Sequence, residues 1–548
     1  MVSALIWIFA TSVFVSAQKE AMSSILPKRL LVLGFDAMDL ELAKSWASVG
    51  YLPNLCRLFD CSAWTDYVSP PEYSSGTMWP SINTGVGPLQ HDFYSFGRFC
   101  EGSYQLRMAR SSDVASEPFW KWFAECGRRI VLADIPFSIP KTEYGGRQFW
   151  GWSVHDNWAW DKSSVPAELL SELTQGFGPH PVSSCYEYTT RTDSLRKLKA
   201  GLIQGIERRT AILKAMIMQG GWDLLYGAYS ETHCAGHRMW HLEDEAHPQY
   251  NREEVAMLGH GLRDVYRAID KSLGELIACA GHNTICVVFF SHGMGPNYHA
   301  AHLFPEFVNR FNDSWIRRSS GGENNAATQR PWLDTLWLGS VQKIPVSWRG
   351  RAKRRLPISM RGRIALQRLQ TPKRWSSAPA FSVPKDGFSA LRVNLIGRET
   401  QGRIQPGQEY RRYLDAFVEA LGQLASTDTG ERVVARIFRV DEQTDPLRIG
   451  AGTDLVVWWS KSRPVVEVRS PVLGDISGVS SEEDTTGEHV MRGMIMVSHE
   501  QAKRGHQIIE GVKPMDIPAT LCELARIKPG RILDGQSLCS NLLTVATE

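Results

Sequence analysis

The amino-acid sequence predicts an α/β sandwich, with a mostly parallel central sheet covered by helices. Three observations carry this. Apolar runs of strand length alternate with longer segments of helical period, the pattern of βαβ units. Three of those runs end on polar residues able to bind ligands, as strand ends do in open parallel sheets. Of 548 residues, 43% are hydrophobic and 22% charged, the balance of a folded globular body rather than a disordered or fibrous chain.

The strands follow from continuous apolar runs at Leu30–Phe35, Arg129–Ala133, Leu224–Tyr229, Thr284–Phe290 and Asp454–Trp459. Helical spacing marks Leu195–Met218, Glu409–Leu424 and Ile517–Ile527, and above all Arg252–Cys279. In that last segment Val255, Leu258, Leu262, Val265, Ile269, Leu273 and Leu276 recur at intervals of three and four, which makes one buried stripe. Asn251 stands where an N-cap is needed, with Glu254 three residues on. From Ser319 to Pro384 the periodicity fades and Gly, Pro, Ser and Arg accumulate, which predicts an inserted cap. The expected organisation is a possible leader or alternative start at 1–21, core at 22–318, basic cap at 319–385 and completing core at 386–548.

Net charge is only +3, which by itself points to neither nucleic acid nor membrane. Its distribution is uneven: Leu336 to Lys385 holds twelve Lys or Arg and no acid, leaving 49 bases against 58 acids elsewhere. Ten cysteines without a CxxC pair argue against a disulfide or zinc-ribbon framework, and Cys286 inside an apolar run behaves as a small hydrophobe. At the N-terminus, Ala4–Val15 is apolar and Val15-Ser16-Ala17 suits a signal peptidase, yet no basic n-region precedes it and Met22 offers a second start. A cytoplasmic location is favoured; a periplasmic or secreted one follows if residues 1–17 are a signal peptide. No other stretch approaches the roughly 20 apolar residues of a membrane span.

The chemistry gathers at strand ends. Asp36 follows one apolar run, Ser230-Glu231-Thr232-His233 a second, and Ser291-His292 a third, so residues some 250 positions apart are expected to converge. His233 and His237 are spaced i, i+4 on one helical face, with His241 extending it, an arrangement that metal sites on helices use and that hydrogen-bonded helices also show. A Ser-rich and Gly-rich stretch, Pro70 to His91, suits a tight loop entering a helix, where backbone donors hold an anion. A hydroxyl there is able to attack phosphorus if a metal lowers its pKa.

Five ordered motifs resemble the alkaline phosphatase superfamily, in particular its type I phosphodiesterase and nucleotide pyrophosphatase branch. GFDAMD with the downstream LPNL is similar to the opening metal-Asp motif, SGTMWPSINTGVGPLQH to the nucleophile motif, SETHCAGH to the paired-ligand motif, SHGMG to the second-metal motif and TGEHVMRG to the late histidine motif. MDIPATLCELARIKPGRILDGQSL resembles the C-terminal signature. The resemblance implies an alkaline-phosphatase-like three-layer sandwich with a basic cap insertion. It also implies that Ser75 is the nucleophile, nine residues before Thr84, with Thr77 and Ser74 as other registers. His237 and His489 match ligands of one zinc, and Asp36, Ser75 and His292 those of the other.

Two family aspartates are missing: His233 and Ser291 occupy their positions. His233, His237 and His489 make a three-histidine zinc site with an open position. Ser291 weakens the second site unless Glu231 or water completes it. Phe96 stands near the place of a phosphate-binding asparagine, so nucleotide specificity is not inherited. Sulfatase, P-loop, HExxH, GxSxG and GxGxxG patterns are absent.

The implied function is metal-dependent phosphoester hydrolysis, of diesters by preference, through Ser75 and a phosphoserine, with one or two Zn2+ or alternatively Mn2+. The alternatives are a phosphotransferase, or a weakened family member that binds a phosphorylated glycan or lipid. The expected partner is a small or polymeric phosphoester, without specific nucleic-acid binding, and the basic run 343–374 suggests peripheral membrane contact.

Overall fold

The computed structural model describes residues 29–69, 75–100, 102–153, 162–319, 375–383, 388–442, 445–448, 452–478 and 485–544. Residues 1–21, most of the 319–385 cap, the basic run 343–374 and Ser74 lie outside them. The chain divides into two compact units: one built from the described parts of 1–94, 110–297 and 483–548, the other from those of 95–109 and 298–482.

The first unit is organised by a nine-stranded sheet. Its strands are β1 (Arg29–Phe35), β2 (Ala63–Val68), β3 (Ile130–Ala133), β4 (Arg147–Trp150), β5 (Ser163–Val165), β6 (Leu224–Tyr229), β7 (Thr284–Phe290), β10 (Arg492–Ser498) and β11 (Gly505–His506). A separate two-stranded ribbon pairs β8 (Gly293–Pro296) with β9 (Gly487–Val490). The sheet order is β11-β2-β10-β7-β1-β6-β3-β4-β5. Pairing is parallel from β7 through β1, β6 and β3 to β4, while β10 and β5 run antiparallel to their neighbours.

The central strands carry unbroken apolar sequence because both faces are covered, the expected pattern for parallel strands. Leu31, Leu33 and Phe35 face a core shared with α2 (Thr192–Gln219) and α5 (Gly261–Ala280). On the opposite face the ring of Phe289 meets Trp79 of α1 (Ser75–Thr84) at 5.6 Å, and Tyr226 meets Phe119 and Trp120 at 6.0 Å. Each fully buried side chain of this size contributes about 1.5–3 kcal/mol over exposure. Gly34 is required by the close approach: a Cβ there would lie 2.5 Å from Phe289 Cζ and 2.8 Å from Trp79 Cη2.

The expected 252–279 helix is two helices, α4 (Arg252–Leu258) and α5. Gly259, at φ +70°, ends α4, and periodicity alone does not register such a break because the apolar stripe resumes in phase. Asn251 caps α4 as expected, accepting from the backbone N–H groups of Glu253 and Glu254. Glu254 closes no capping box; its carboxylate accepts from Thr192 instead.

The second unit has its own four-stranded antiparallel sheet, in the order Ala380–Val383, Ser389–Val393, Leu455–Trp459, Val434–Arg439. Helices Phe304–Ser319 and Gln408–Gly422 cover it with Phe304, Phe307, Phe311, Tyr413 and Phe417. The expected strand near 454–459 therefore exists but belongs to this sheet. Residues 388–478, expected in the completing part of the core, group with this unit as well. An apolar run specifies burial, and does not specify which sheet buries it. Among the described residues no helix is long and apolar enough to cross a membrane.

Candidate functional site

The three polar strand ends converge at the carboxyl edge of adjacent strands β6, β1 and β7. Asp36 N–H donates to Tyr229 O at 2.9 Å, and Ser291 N–H to Phe35 O at 3.1 Å, so the ladder extends one residue past each strand. Ala37, next to Asp36, takes φ +53° although it is not glycine. A backbone held there is strained, which is common where a side chain must be aimed. Thr232 Oγ1 anchors the turn by donating to Asp36 O at 2.6 Å.

α3 (Glu231–Met239) starts directly after β6 and carries His233 and His237 on one face. Their rings stand 4.5 Å apart. The ribbon β8-β9 brings His489 to them, its ring 4.9 Å from His233 and 4.7 Å from His237. Glycine makes this approach possible: a Cβ on Gly487 would lie 2.3 Å from Gly236 O. The ligand atoms of His233, His237 and His489 all lie within 4.8 Å of one another.

The hydrogen bonds around these rings orient them. His237 Nδ1 is 2.8 Å from Gly487 O, which only accepts, so Nδ1 holds the proton and Nε2 keeps its lone pair. The buried Glu488 carboxylate accepts from the backbone N–H of His489 at 2.7 Å and lies 3.2 Å from its Nδ1, which places a negative charge beside that ring. The two Nε2 atoms face each other at 3.1 Å. A shared cation fits that pair, since tetrahedral zinc with Zn–N of 2.0–2.1 Å separates its nitrogens by about 3.3 Å.

His292 is the fourth imidazole, its ring 4.7 Å from His489. Ser291 stands between it and Asp36: Ser291 Oγ donates to Asp36 Oδ1 at 3.1 Å and lies 3.0 Å from His292 Nδ1. Asp36 Oδ1 also accepts from Trp79 Nε1 at 2.7 Å. Ser75 is the first residue of α1 and is buried, 6% exposed. Thr77 lies on the same helix, and Trp79, one turn after Ser75, ties it to Asp36.

Glu231, the alternative the sequence left open for the second site, has one oxygen committed elsewhere. Its Oε1 accepts from Arg209 Nε at 3.2 Å and lies 3.3 Å from His180 Nε2. Burial pushes the carboxyl up, but Arg209 and His180 outweigh it and hold Glu231 down to about 2. Arg209, Asp134, His180, Trp79 and Glu488 escape the sequence reading. Arg209 alone left a trace there, as a charge on the apolar stripe of α2. His241 is not among the three clustered histidines: its Nδ1 lies 3.1 Å from Thr486 Oγ1, and burial lowers its pKa to about 4.

A family model for type I phosphodiesterase / nucleotide pyrophosphatase matches residues 30–383. The chain belongs to that family. The match includes Asp36, Ser75, His233, His237 and His292, while His489 lies beyond it and is brought in by the fold. As a type I phosphodiesterase/nucleotide pyrophosphatase family member it falls in the alkaline phosphatase superfamily, among enzymes that hydrolyse phosphoesters. Solved structures similar to it include phosphonoacetate hydrolase from Sinorhizobium meliloti 1021, at 12% identity over 92% of this chain and 97% of that one, with a TM-score of 0.48. Murine ectonucleotide pyrophosphatase/phosphodiesterase 5 matches at 10% identity over 94% and 100%, TM-score 0.48. A mutant of the alkaline phosphatase PafA matches at 11% identity over 94% and 99%, TM-score 0.48. No curated protein matches the chain by sequence.

Proposed function

We propose that the chain is a metal-dependent phosphoester hydrolase, acting on diesters by preference, with Ser75 as nucleophile. The observation that carries this is the pair of imidazole Nε2 atoms facing each other at 3.1 Å, joined by His233. His233, His237 and His489 would hold the ion, with Asp36 and His292 as the further residues the family pattern offers. Zinc suits an imidazole set better than the harder Mn2+ or Mg2+. Bound there, the ion acts as a Lewis acid on a phosphoryl oxygen and favours an ionised hydroxyl or water.

Ser75 gives up its hydroxyl proton to water as its Oγ forms a bond to phosphorus and the ester oxygen of the leaving group departs, giving a phosphoserine ester. The departing alkoxide takes up a proton from water. A water molecule then attacks the phosphoserine, and Ser75 regains its proton as phosphate monoester leaves. The N–H groups of the first turn of α1 and the positive end of its dipole favour the anionic phosphoryl group beside Ser75. Asp36 is fixed through one carboxylate oxygen by Trp79 and Ser291.

The test is turnover of bis(p-nitrophenyl) phosphate by the full chain, after exhaustive chelation and after zinc is restored. Activity should vanish and return; undiminished activity in metal-free protein sinks the proposal. Ser291 supports a second reading, a member that binds a phosphorylated glycan or lipid without turnover. That reading predicts tight binding of a phosphoester with no product in either arm.

The basic run 343–374 supports one further step, attraction of an anionic polymer or lipid headgroup. Replacing Arg351, Lys353, Arg354 and Arg355 with Gln should raise KM for a large anionic substrate, in a salt-dependent way, and spare a small aryl diester. Equal effects on both substrates leave the run without a steering role.

A further inference from the structure

Arg209 lies in the middle of α2, on the stripe that includes Leu198, Leu202, Ile206, Leu213 and Met216, and is 1% exposed. An arginine is almost never so buried unless it is paired. Its Nη1 donates to Asp134 Oδ2 and its Nε to Glu231 Oε1, both at 3.2 Å. Trp152 and Tyr229 flank the guanidinium with their rings, at 5.1 and 5.4 Å. The two acids come from the carboxyl ends of neighbouring strands: Asp134 directly follows β3, and Glu231 opens α3 after β6. The cation thus fastens the edge of the sheet to the first residue of the helix that carries His233 and His237.

The surroundings are built for this contact. Asp134 takes φ +58° and turns its other oxygen to the N–H groups of Gly151 and Trp152, at 2.9 and 3.1 Å. His180 Nε2 reaches the same Glu231 oxygen at 3.3 Å, and it can do so because Gly205, one turn before Arg209, has no side chain. A Cβ there would lie 2.1 Å from His180 Nε2. Buried ion networks contribute little net stability, and apolar replacements are often neutral or stabilising. What such a network does supply is direction: Glu231 has one oxygen held from two sides, and α3 cannot rotate without breaking both contacts.

We infer that Arg209 is a positioning residue which, through Glu231, sets the rotation of α3 and so the angle at which His233 and His237 meet His489. The inference rests on the metal-binding reading above. Outer partners of metal ligands, when replaced, typically cost roughly 10–100-fold in metal affinity.

The test uses Co2+ as a spectroscopic probe of the full-length protein, with the visible absorption band reporting coordination and titration giving Kd. Thermal unfolding of the metal-free protein is measured alongside. Arg209→Met leaves Asp134 and Glu231 without their shared arginine and is expected to unfold readily, so the informative variant is Asp134→Asn/Arg209→Met/Glu231→Gln, which removes the arginine and both carboxylates. It should unfold within a few degrees of the parent while binding Co2+ at least tenfold more weakly and with an altered band. Arg209→Lys, keeping the charge without the fork, should fall between. A triple variant with parental Kd and spectrum overturns the inference. If the parent protein itself binds no Co2+ and no zinc, the metal reading fails and the inference falls with it.

Discussion

Trp79 Nε1 donates to Asp36 Oδ1 at 2.7 Å, so the helix that begins at Ser75 is tied to the carboxylate that ends β1. The two residues are 43 positions apart, and the bond fixes where the first turn of α1 stands against the sheet edge. Ser75 owes its proposed place to this tie.

The nucleophile is therefore expected at Ser75 and not at Thr77. Ser75→Ala should lower kcat on an aryl phosphodiester at least 1,000-fold, on the order expected when a covalent nucleophile is removed. Thr77→Ala should retain most activity. The reverse outcome in steady-state kinetics moves the register by two residues.

Gly34→Ala should act at a distance on the same tie. Its Cβ would enter the space of Phe289 and Trp79, and overpacking of this kind costs typically about 1–3 kcal/mol. A lowered Tm together with a lower kcat is expected. A variant with parental Tm would show that the two rings yield without cost.

Metal content should be nearer one ion per chain than two. Ser291 Oγ is engaged by both Asp36 and His292 and carries no negative charge, so the Asp36–His292 side has one carboxylate fewer than the family pattern while the three-histidine side is complete. Elemental analysis at limiting zinc checks this, and Ser291→Asp should raise occupancy. Two tightly held ions in the parent protein would contradict it.

Stability should fall in mild acid through His91. Phe93 N–H donates to its Nδ1 at 3.1 Å, so Nε2 carries the proton toward Ser81 Oγ at 2.9 Å. Burial lowers its pKa from 6.5 to about 3. The unfolded chain takes up a proton below about pH 6.5 and the folded chain does not, so His91 contributes stability at neutral pH that is lost as pH falls toward 3. The slope approaches about 1.4 kcal/mol per pH unit. Urea unfolding at pH 7, 6 and 5 should show it, and His91→Asn should flatten the curve; parallel curves would mean that His91 is protonated in the folded state.

The strands of the first unit and the convergence of Asp36, His233 and His292 were legible because burial on both faces leaves unbroken apolar runs whose ends are polar. Ligand spacing on α3 was legible because i, i+4 fixes a face. The Arg209 network was not, because its members lie between residues 134 and 231 and nothing local marks them as partners. Glu231 shows the difficulty well: a carboxylate beside a metal motif suggests a ligand, and only the packing of α2 shows that its Oε1 is held by Arg209. The break at Gly259 and the antiparallel home of Leu455–Trp459 were hidden for a related reason, since pattern reports burial and leaves partner and phase open.

β10 occupies the slot between β2 and β7, and the ribbon just before it delivers His489. During synthesis β7 is therefore complete about 200 residues, and β2 about 420, before the strand that joins them, and each waits with an open edge. At about 5–20 residues per second that interval lasts tens of seconds, long enough for an unpaired edge to attract other chains. Biosynthesis thus carries its own proofreading: a ribosome product that stops short of β9 has neither a closed sheet nor the third imidazole. Such truncated chains should be insoluble and unable to retain cobalt, whereas only a finished polypeptide acquires both properties together.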